Sequence, residues 1–357
     1  MLTAGAHDPL GRPVQAGLAL LGDGRTAVVE TAAASGLALL RPSERDPKAT
    51  TSYGTGELIR AALDAGAETI IVGLGGSATN DAGCGLLQAL GVRLLDHDGR
   101  DVRPGGAALA EVERVDLSGL DRRLGDVHVI AACDVTNPLT GPEGASAVFG
   151  PQKGASREDV TLLDGALRHV SSVIERALAV TGARRTEWRW GGKRSKRPWL
   201  NHRLLATVPV LTTVPARPSP IIPEPGRRGG IGMALLAVLH ADFRPGIDLV
   251  IEQSGLDAAA QWADIVFTGE GSIDAQTMFG KTPVGVASVA KRHGKPVIAI
   301  AGHVGDGIEC LHGRGIDAVF GAAPGAASLD ELLRDARANV ARTAEQVTRL
   351  MRIVRSH

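Results

Sequence analysis

The sequence predicts an α/β fold made of two domains with mostly parallel sheets. Short β-branched runs alternate with segments whose apolar residues recur at helical spacing, and this alternation is typical of βαβ units. The 46 glycines suit many tight turns between strand and helix. A chain of 357 residues is long enough for two domains. Aromatic residues make up only 3% of the chain, so Val, Ile, Leu and Ala must form the core.

In the first part of the chain, strands and helices are separated by polar loops. The predicted elements are strand Thr26–Glu30, helix Glu57–Ala65, strand Thr69–Leu74, helix Cys84–Leu90, strand Val127–Ala132 and helix Leu162–Val180. Gly66 gives the stop signal of the first of these helices. Apart from its one short strand, residues 1–56 are predicted to be polar loop.

In the second part, the alternation of strand and helix becomes regular after Asp264. The predicted elements are helix Ile231–Leu239, strand Leu249–Glu252, strand Ile265–Thr268, helix Val284–Arg292, strand Pro296–Ala301 and strand Ala318–Phe320. Ser328 then begins a long amphipathic helix, with Glu331 completing a capping box. We expect one α/β domain over residues 1–258 and a second, Rossmann-like and incomplete, over 259–357.

Composition excludes several classes of protein. The chain has only three cysteines, Cys84, Cys133 and Cys310, far apart in sequence. This argues against a disulfide framework or a zinc site and fits a reducing compartment. With no run of 18 apolar residues and no secretory signal visible, we expect a soluble, cytoplasmic protein that does not enter a membrane.

The glycine-rich turn between strand Thr69–Leu74 and helix Cys84–Leu90 is the most informative segment. Its glycines and polar residues are Gly73, Gly75, Gly76, Ser77, Thr79, Asn80, Asp81 and Gly83. Glycines let backbone N–H groups approach an anion, and a helix N-terminus adds partial positive charge. The hydroxyls, amide and carboxylate can hold a polyol or a metal–phosphate. The alternative is a tight βα turn in which Ser77 or Asp81 caps the helix.

A second glycine-containing segment, Thr268–Asp274, is predicted to follow a strand, where open α/β sheets place their ligands. Gly269 and Gly271 allow close approach, and Ser272 adds a hydroxyl. Glu270 and Asp274 offer the hard oxygen ligands that suit Mg²⁺. Alternatively, both carboxylates cap turns or pair with Lys281, which could otherwise contact phosphate.

Asp134 and Asn137 lie in a third candidate segment, a turn that closes at Pro138. Because Asp134 follows a buried strand, we expect it to be partly desolvated and so suited to act as a base or ligand. A capping role is the alternative. No Gly-x-x-x-x-Gly-Lys-Ser/Thr phosphate loop, protein-kinase signature set or Ser nucleophile elbow is present.

These segments together resemble the class I glycerate kinases. The motifs that carry the resemblance come in the family's order and cover most of residues 8–180 and 229–353. They are Thr26–Leu37, Thr50–Leu58, Val72–Gly85, Ala132–Leu139, Gly141–Ala145, Phe149–Gly154, Gly229–Gly232 and Thr268–Asp274. As a set they are highly specific, whereas any one of them alone is weak.

The resemblance implies a kinase that uses ATP and Mg²⁺ to phosphorylate D-glycerate at its 2-hydroxyl. By residue chemistry and motif position, we expect Asp81, Glu270 and Asp274 to be catalytic, the last two also holding the metal. The residues expected to bind substrate or phosphate are Gly75, Gly76, Ser77, Thr79, Asn80, Asp134, Asn137, Gly269, Gly271, Ser272 and Lys281. The expected partner is the small-molecule substrate, and the oligomeric state stays open.

The sequence departs from the family at two places. Members of the family begin with a further stretch that carries a Ser-Phe-Lys-Gly and an Asp-Gly-Gly-Glu-Gly segment, and neither occurs here. We therefore expect an exposed apolar strand edge in the C-terminal sheet and low activity. In addition, residues 184–228 hold eleven Arg or Lys against two Glu, seven prolines and three tryptophans. This composition favours an exposed loop over a nucleic-acid site.

Two other classes of function remain as alternatives. The missing segments allow a catalytically impaired remnant that only binds glycerate or nucleotide. A Rossmann-type oxidoreductase is the other, but no Gly-x-Gly-x-x-Gly turn with a following ribose-binding acid is found.

Overall fold

The structure is a computed structural model that describes residues 1–135, 137–180, 230–275, 277 and 282–355. The chain forms two compact units, Met1–Phe243 and Arg244–His357. The basic segment 184–228 and Lys281 lie outside the described residues. The domain boundary expected between residues 258 and 259 remains a prediction.

The first unit alternates strands and helices around one sheet. Its elements are β1 (Leu2–His7), β2 (Pro13–Leu20), β3 (Thr26–Glu30), α1 (Thr31–Ser35), α2 (Tyr53–Asp64), β4 (Thr69–Gly73), α3 (Cys84–Ala89), β5 (Arg93–Leu95), β6 (Arg114–Asp116), β7 (His128–Ala132), α4 (Ala145–Phe149), α5 (Arg157–Val180), α6 (Gly232–Ala237) and β8 (Asp242–Arg244). The six-stranded sheet has the order β1-β2-β3-β4-β7-β8, and β5 pairs with β6 in a separate hairpin.

The register of the parallel strands sets the position of the site. Strands β3, β4 and β7 run parallel, with Glu30 opposite Gly73 and Gly73 opposite Ala132. The three strands therefore end side by side, and their carboxyl ends form the edge at which α/β sheets bind ligands. Val72 and Ala131, from neighbouring strands, are fully buried and belong to one core with the helices.

The second unit is a smaller βα structure. Its elements are α7 (Gly246–Ser254), α8 (Leu256–Trp262), β9 (Val266–Ile273), α9 (Thr282–Arg292), β10 (Val297–Val304), α10 (Glu309–His312), β11 (Ala318–Gly321), α11 (Leu329–Arg334) and α12 (Ala336–Arg355). The sheet order is β11-β10-β9, and both pairs are parallel. Its own core includes Ile273, Ala287, Val297 and Leu311. Within the described residues, β9 forms an edge of this sheet, and Phe267 on it is exposed.

The α/β class with mostly parallel sheets is confirmed, but the first 56 residues were predicted wrongly in part. Strands β1 and β2 pair as an antiparallel hairpin where polar loop was expected. Only Ala6 of β1 is buried, and the middle of β1 is Ala-Gly-Ala, so its hydrophobic alternation is weak. Among the described residues, no helix is both long and apolar enough to cross a bilayer.

Three element predictions in the second unit need correction. Leu249–Glu252 is not a strand but part of α7, in which Leu249 is buried while Val250 is exposed. Strand Ile265–Thr268 continues to Ile273, so Thr268–Asp274 is largely strand and not a loop after it. The capping box of Ser328 and Glu331 is confirmed, but its helix ends at Arg334 and α12 begins separately.

Candidate functional site

The loop after β4 is held by backbone hydrogen bonds to the end of α1. The Leu37 amide donates to the Gly76 carbonyl at 2.8 Å, and the Ala78 amide donates to the Ser35 carbonyl at 2.9 Å. In this loop Gly75 and Gly76 are exposed, and Ser77, between the two anchored residues, is half-buried. The loop is therefore fixed at both sides while its glycines face solvent at the carboxyl edge of the sheet.

Asp81 lies inside the protein and accepts four hydrogen bonds. Its carboxylate accepts from the Ser52 amide at 2.7 Å and hydroxyl at 2.8 Å, and from the Gly83 and Gly85 amides, each at 3.2 Å. The residue is 1% exposed. The Leu86 amide in turn donates to the Ser52 hydroxyl at 3.0 Å. The carboxylate thus joins the start of α2 to the start of α3, where helix N-termini favour negative charge.

The backbone after Asp81 is strained. Ala82 has φ 53° and Gly83 has φ 75°, and the left-handed region is unfavourable for alanine. Ala82 is buried, and its carbonyl accepts from the Ala234 amide of α6 at 3.3 Å. A Cβ on Gly83 would lie 2.6 Å from the Ala234 Cβ. Ala234 of α6 therefore supports the backbone that follows Asp81, and strain of this kind occurs at functional sites.

Lys153 is a site residue to which the sequence reasoning gave no role. It is 7% exposed, and its Nζ donates to the Ser77 hydroxyl oxygen at 3.1 Å and to the Thr79 carbonyl at 2.7 Å. Burial lowers the pKa of Lys153 to about 8, although the nearby Asp81 carboxylate acts to raise it. The resemblance to glycerate kinases included Phe149–Gly154, and that was the only signal for this lysine.

Thr79 and Asn80, both predicted to bind substrate or phosphate, lie beneath the loop surface. The Asn80 Nδ2 donates to the Ser146 hydroxyl oxygen at 2.8 Å, and both residues are buried. Thr79 is 2% exposed, and within the described residues its Oγ1 has no hydrogen-bond partner. The structure therefore brings Ser77, Thr79 and Lys153 together, with Asn80 in a supporting contact.

Asp134 and Asn137 lie beyond the end of β7. Asp134 is exposed, so the partial desolvation expected from its neighbouring strand is wrong. The strand ends at Ala132, two residues before Asp134. The Asn137 Nδ2 donates to the Glu143 carbonyl at 3.0 Å and closes the turn. Glu30, at the level end of β3, is a further exposed carboxylate that the sequence analysis did not select.

In the second unit, Glu270 and Asp274 share a threonine. The Thr277 hydroxyl donates to Glu270 Oε1 at 2.6 Å and accepts from the Asp274 amide at 3.3 Å. Thr277 is fully buried and was also missed from sequence. The Thr277 hydroxyl therefore links the Glu270 side chain, on β9, to the backbone at Asp274, just after that strand.

The glycines of β9 have different environments. A Cβ on Gly269 would lie 2.2 Å from the Ile300 carbonyl oxygen, so glycine is needed there for close packing of β9 on β10. Gly271 has open space around it, and Gly271 and Ser272 are both exposed. Gly269 is exposed as well, so a ligand can reach all three of these predicted residues from solvent.

The predicted metal ligands, Glu270 and Asp274, do not belong to a cluster of three or more such side chains among the described residues. Among the described residues, the group of three or more metal-ligating side chains is Asp96, His97 and Asp98, between β5 and β6. Carboxylate oxygens suit Mg²⁺, which commonly takes one or two carboxylates and keeps several waters. Glu270 and Asp274 therefore fit such an ion by the chemistry of their donors.

Comparison with known proteins decides the family. A sequence model of the Glycerate kinase family matches residues 1–352. The chain belongs to the glycerate kinase family. The glycerate kinase of Bacillus subtilis (strain 168) is 45% identical over 348 residues, which cover 98% of this chain and 81% of that protein. The glycerate 2-kinase of Escherichia coli (strain K12) is 43% identical over 345 residues, covering 97% and 81%.

The solved structures agree with this assignment. A glycerate kinase 2 crystal structure from Salmonella typhimurium LT2 matches with a TM-score of 0.78 and 44% identity, covering 100% of this chain and 83% of that one. The resemblance that the motifs indicated is confirmed. Membership of a kinase family overturns the oxidoreductase alternative, and the roles of individual residues stay predictions.

Proposed function

We propose that this member of the glycerate kinase family transfers the γ-phosphoryl group of ATP to the 2-hydroxyl of D-glycerate in the cytoplasm. The observation that carries the proposal is the family match along residues 1–352. The relative named glycerate 2-kinase favours the 2-hydroxyl as acceptor. The loop of the first unit and the carboxylates of the second supply groups of the kind that phosphoryl transfer needs.

In the first unit, the loop Gly75–Asn80 would bind the substrate. Its exposed glycines let backbone amides approach an anion. Ser77 adds a hydroxyl, whose oxygen accepts a hydrogen bond from the buried ammonium of Lys153. Asp134, an exposed carboxylate beyond the neighbouring strand, would orient the attacking hydroxyl. Asn137 would act by closing the turn that carries Asp134.

Asp81 would act on the reaction by positioning. Four donors already surround its carboxylate and solvent does not reach it. A proton transfer to substrate would have to break that network. We therefore assign Asp81 to holding the loop in place, and this assignment replaces the direct catalytic role predicted from sequence.

In the second unit, Glu270 and Asp274 would hold Mg²⁺ directly or through water, with Thr277 fixing Glu270. Bound there, Mg²⁺ supplies positive charge that neutralises phosphate oxygens in the transition state. Gly271 and Ser272 are exposed beside these carboxylates and would contact phosphate. Lys281 is proposed to contact phosphate as well.

A coupled ADP-release assay tests the proposed function. ATP and Mg²⁺ are supplied with D-glycerate, glycolate or glycerol, and a reaction without an acceptor serves as the control. We expect ADP release to depend on D-glycerate and to fall with glycolate, which lacks the 3-hydroxymethyl group, and with glycerol, which lacks the carboxylate. ADP release that is equal with and without D-glycerate would contradict the proposal.

A further inference from the structure

The hydrogen bond between Lys153 and Ser77 has a fixed direction. A lysine ammonium can only donate, so the Ser77 oxygen must accept from it at 3.1 Å. The hydroxyl of Ser77 retains one proton to give, and within the described part of the chain it has no recorded acceptor. Because Ser77 is half-buried beside the exposed Gly75 and Gly76, a ligand reaching the loop meets Ser77 as a donor.

Thr79 gives a second and independent observation. Its carbonyl accepts from Lys153 at 2.7 Å, while its own buried Oγ1 has no partner among the described residues. A buried hydroxyl without a partner is unfavourable, and native structures rarely keep one without a reason. A polar ligand atom at the loop would give this hydroxyl the partner that it lacks.

The charges around the loop favour a ligand with a single negative charge. Lys153 is the buried cation, and the carboxylate of Asp81 lies near enough to act on its pKa. Two opposite charges leave little net positive charge for a polyphosphate, which carries several negative charges. A carboxylate carries one, and two hydroxyl donors match its two oxygens.

We propose that Ser77 and Thr79 form the subsite for the carboxylate of the hydroxy acid and that Lys153 is the positioning residue that makes Ser77 a donor. This inference rests on the proposed function, because it names the part of the acid that the loop recognises. The phosphates of the nucleotide would then bind elsewhere in the protein.

Direct binding measurements test this subsite without relying on turnover. Isothermal titration calorimetry gives the Kd of D-glycerate, glycerol and Mg–ADP for the natural protein and for Ser77→Ala and Lys153→Met. We expect both variants to weaken D-glycerate binding by about tenfold to hundredfold, the range for hydrogen bonds to charged groups. The Kd of Mg–ADP should not change. Lys48→Met is the matched control, since Lys48 pairs with Asp159 in the same unit.

The pH dependence separates the proposed role of Lys153 from a merely structural one. We expect D-glycerate binding to weaken above about pH 8, where Lys153 loses its proton, and this alkaline limb to be absent in Lys153→Met. Two charged residues lie near Lys153. The Asp81 carboxylate acts on the pKa of Lys153, and the backbone of Arg45 packs against the adjacent Gly154. A limb that persists in Lys153→Met would overturn the assignment.

The variants also distinguish this proposal from the function on which it rests. If Lys153→Met does not fold, Ser77→Ala still decides, because it removes one oxygen from a half-buried residue. An unchanged Kd for D-glycerate in Ser77→Ala, or weaker binding of Mg–ADP instead, would overturn the subsite. If the Kd of D-glycerate is unchanged in Ser77→Ala but ADP release still depends on D-glycerate, the proposed function would stand without the subsite. If D-glycerate binding depends on Ser77 but no ADP is released, the proposed function would be contradicted while the proposed subsite would stand.

Discussion

The carboxylate of Asp81 and Ser52, the N-cap residue of α2, are joined by two hydrogen bonds. The Ser52 amide and hydroxyl donate to the same carboxylate oxygen, at 2.7 and 2.8 Å. Asp81, which directly follows the loop Gly75–Asn80, thereby fixes the start of a helix whose N-cap residue lies 29 residues earlier in the chain. The position of the loop and the stability of the first unit should therefore depend on the same carboxylate.

Replacing Asp81 by Asn should destabilise the protein. The amide would place two N–H donors where the carboxylate accepts from Ser52, Gly83 and Gly85. Breaking a buried network of this kind costs about 2–4 kcal/mol in the free energy of unfolding. Urea denaturation measures this, with Asp101→Asn as the control, because Asp101 pairs with Arg93 at the surface. An Asp81→Asn protein as stable as the control would show that the network contributes little.

Lys153 should make stability depend on pH. Its pKa in the folded protein, about 8, is below the ordinary value of 10.5. Between these values the unfolded chain binds a proton that the folded protein has lost, so the free energy of unfolding rises with pH. Relative to Lys153→Met, the gain should approach about 3 kcal/mol at the upper end. Denaturation of both proteins from pH 7 to 10 measures it, and a difference that is flat or falls with pH would contradict the burial of a charged lysine.

Gly85→Ala should disrupt the junction between α2 and α3. An added Cβ would lie 2.1 Å from the Thr51 hydroxyl oxygen and 2.8 Å from the Tyr53 amide nitrogen. We expect a loss of about 2–4 kcal/mol in the free energy of unfolding, because the Tyr53 nitrogen belongs to the backbone and donates a hydrogen bond to the Thr51 hydroxyl at 3.2 Å. Gly165→Ala is the control: it lies within α5 with open space around it and should stabilise the protein by about 0.5–1 kcal/mol. Thermal melting measures both variants. If the melting temperature changes in the same direction in both, the result would argue against this packing.

Thr277→Val should weaken the use of Mg²⁺. The change keeps the shape of a fully buried side chain but removes the hydroxyl that donates to Glu270 at 2.6 Å. Loss of a group that orients a metal ligand commonly reduces metal affinity by about tenfold to hundredfold. The half-saturating Mg²⁺ concentration for ADP release should rise accordingly, and Glu270→Gln should raise it further. Thr348→Val, at an exposed hydroxyl of α12, should leave it unchanged, and equal values in all three variants would remove Glu270 from the metal site.

The loop Gly75–Asn80 could be located from sequence because the patterns that predict it are local. A β-branched run, Thr69–Val72, is followed at once by glycines and then by helical spacing, and the structure places β4, the loop and α3 in that order. The contribution of Lys153 could not be found in the same way. It contacts Ser77 across 76 residues of sequence, and only the folded chain brings the two together.

The errors in the second unit have a similar physical origin. Leu249, Val250 and Ile251 are adjacent apolar residues and so predict a strand, but one face of a helix buries Leu249 and leaves Val250 exposed. Gly269 predicts a turn, yet it continues β9, and its lack of a side chain lets the Ile300 carbonyl of β10 approach closely. In both cases tertiary packing, which the local pattern does not contain, decides the conformation.

The central claim, that this chain phosphorylates D-glycerate at the 2-hydroxyl, is tested most directly by ³¹P NMR of the reaction products. The protein is incubated with ATP, Mg²⁺ and D-glycerate, and the spectrum is compared with those of authentic 2- and 3-phosphoglycerate. We expect the 2-phosphoglycerate resonance to grow in step with ADP. Formation of 3-phosphoglycerate, or ADP with inorganic phosphate and no phosphomonoester, would contradict the account.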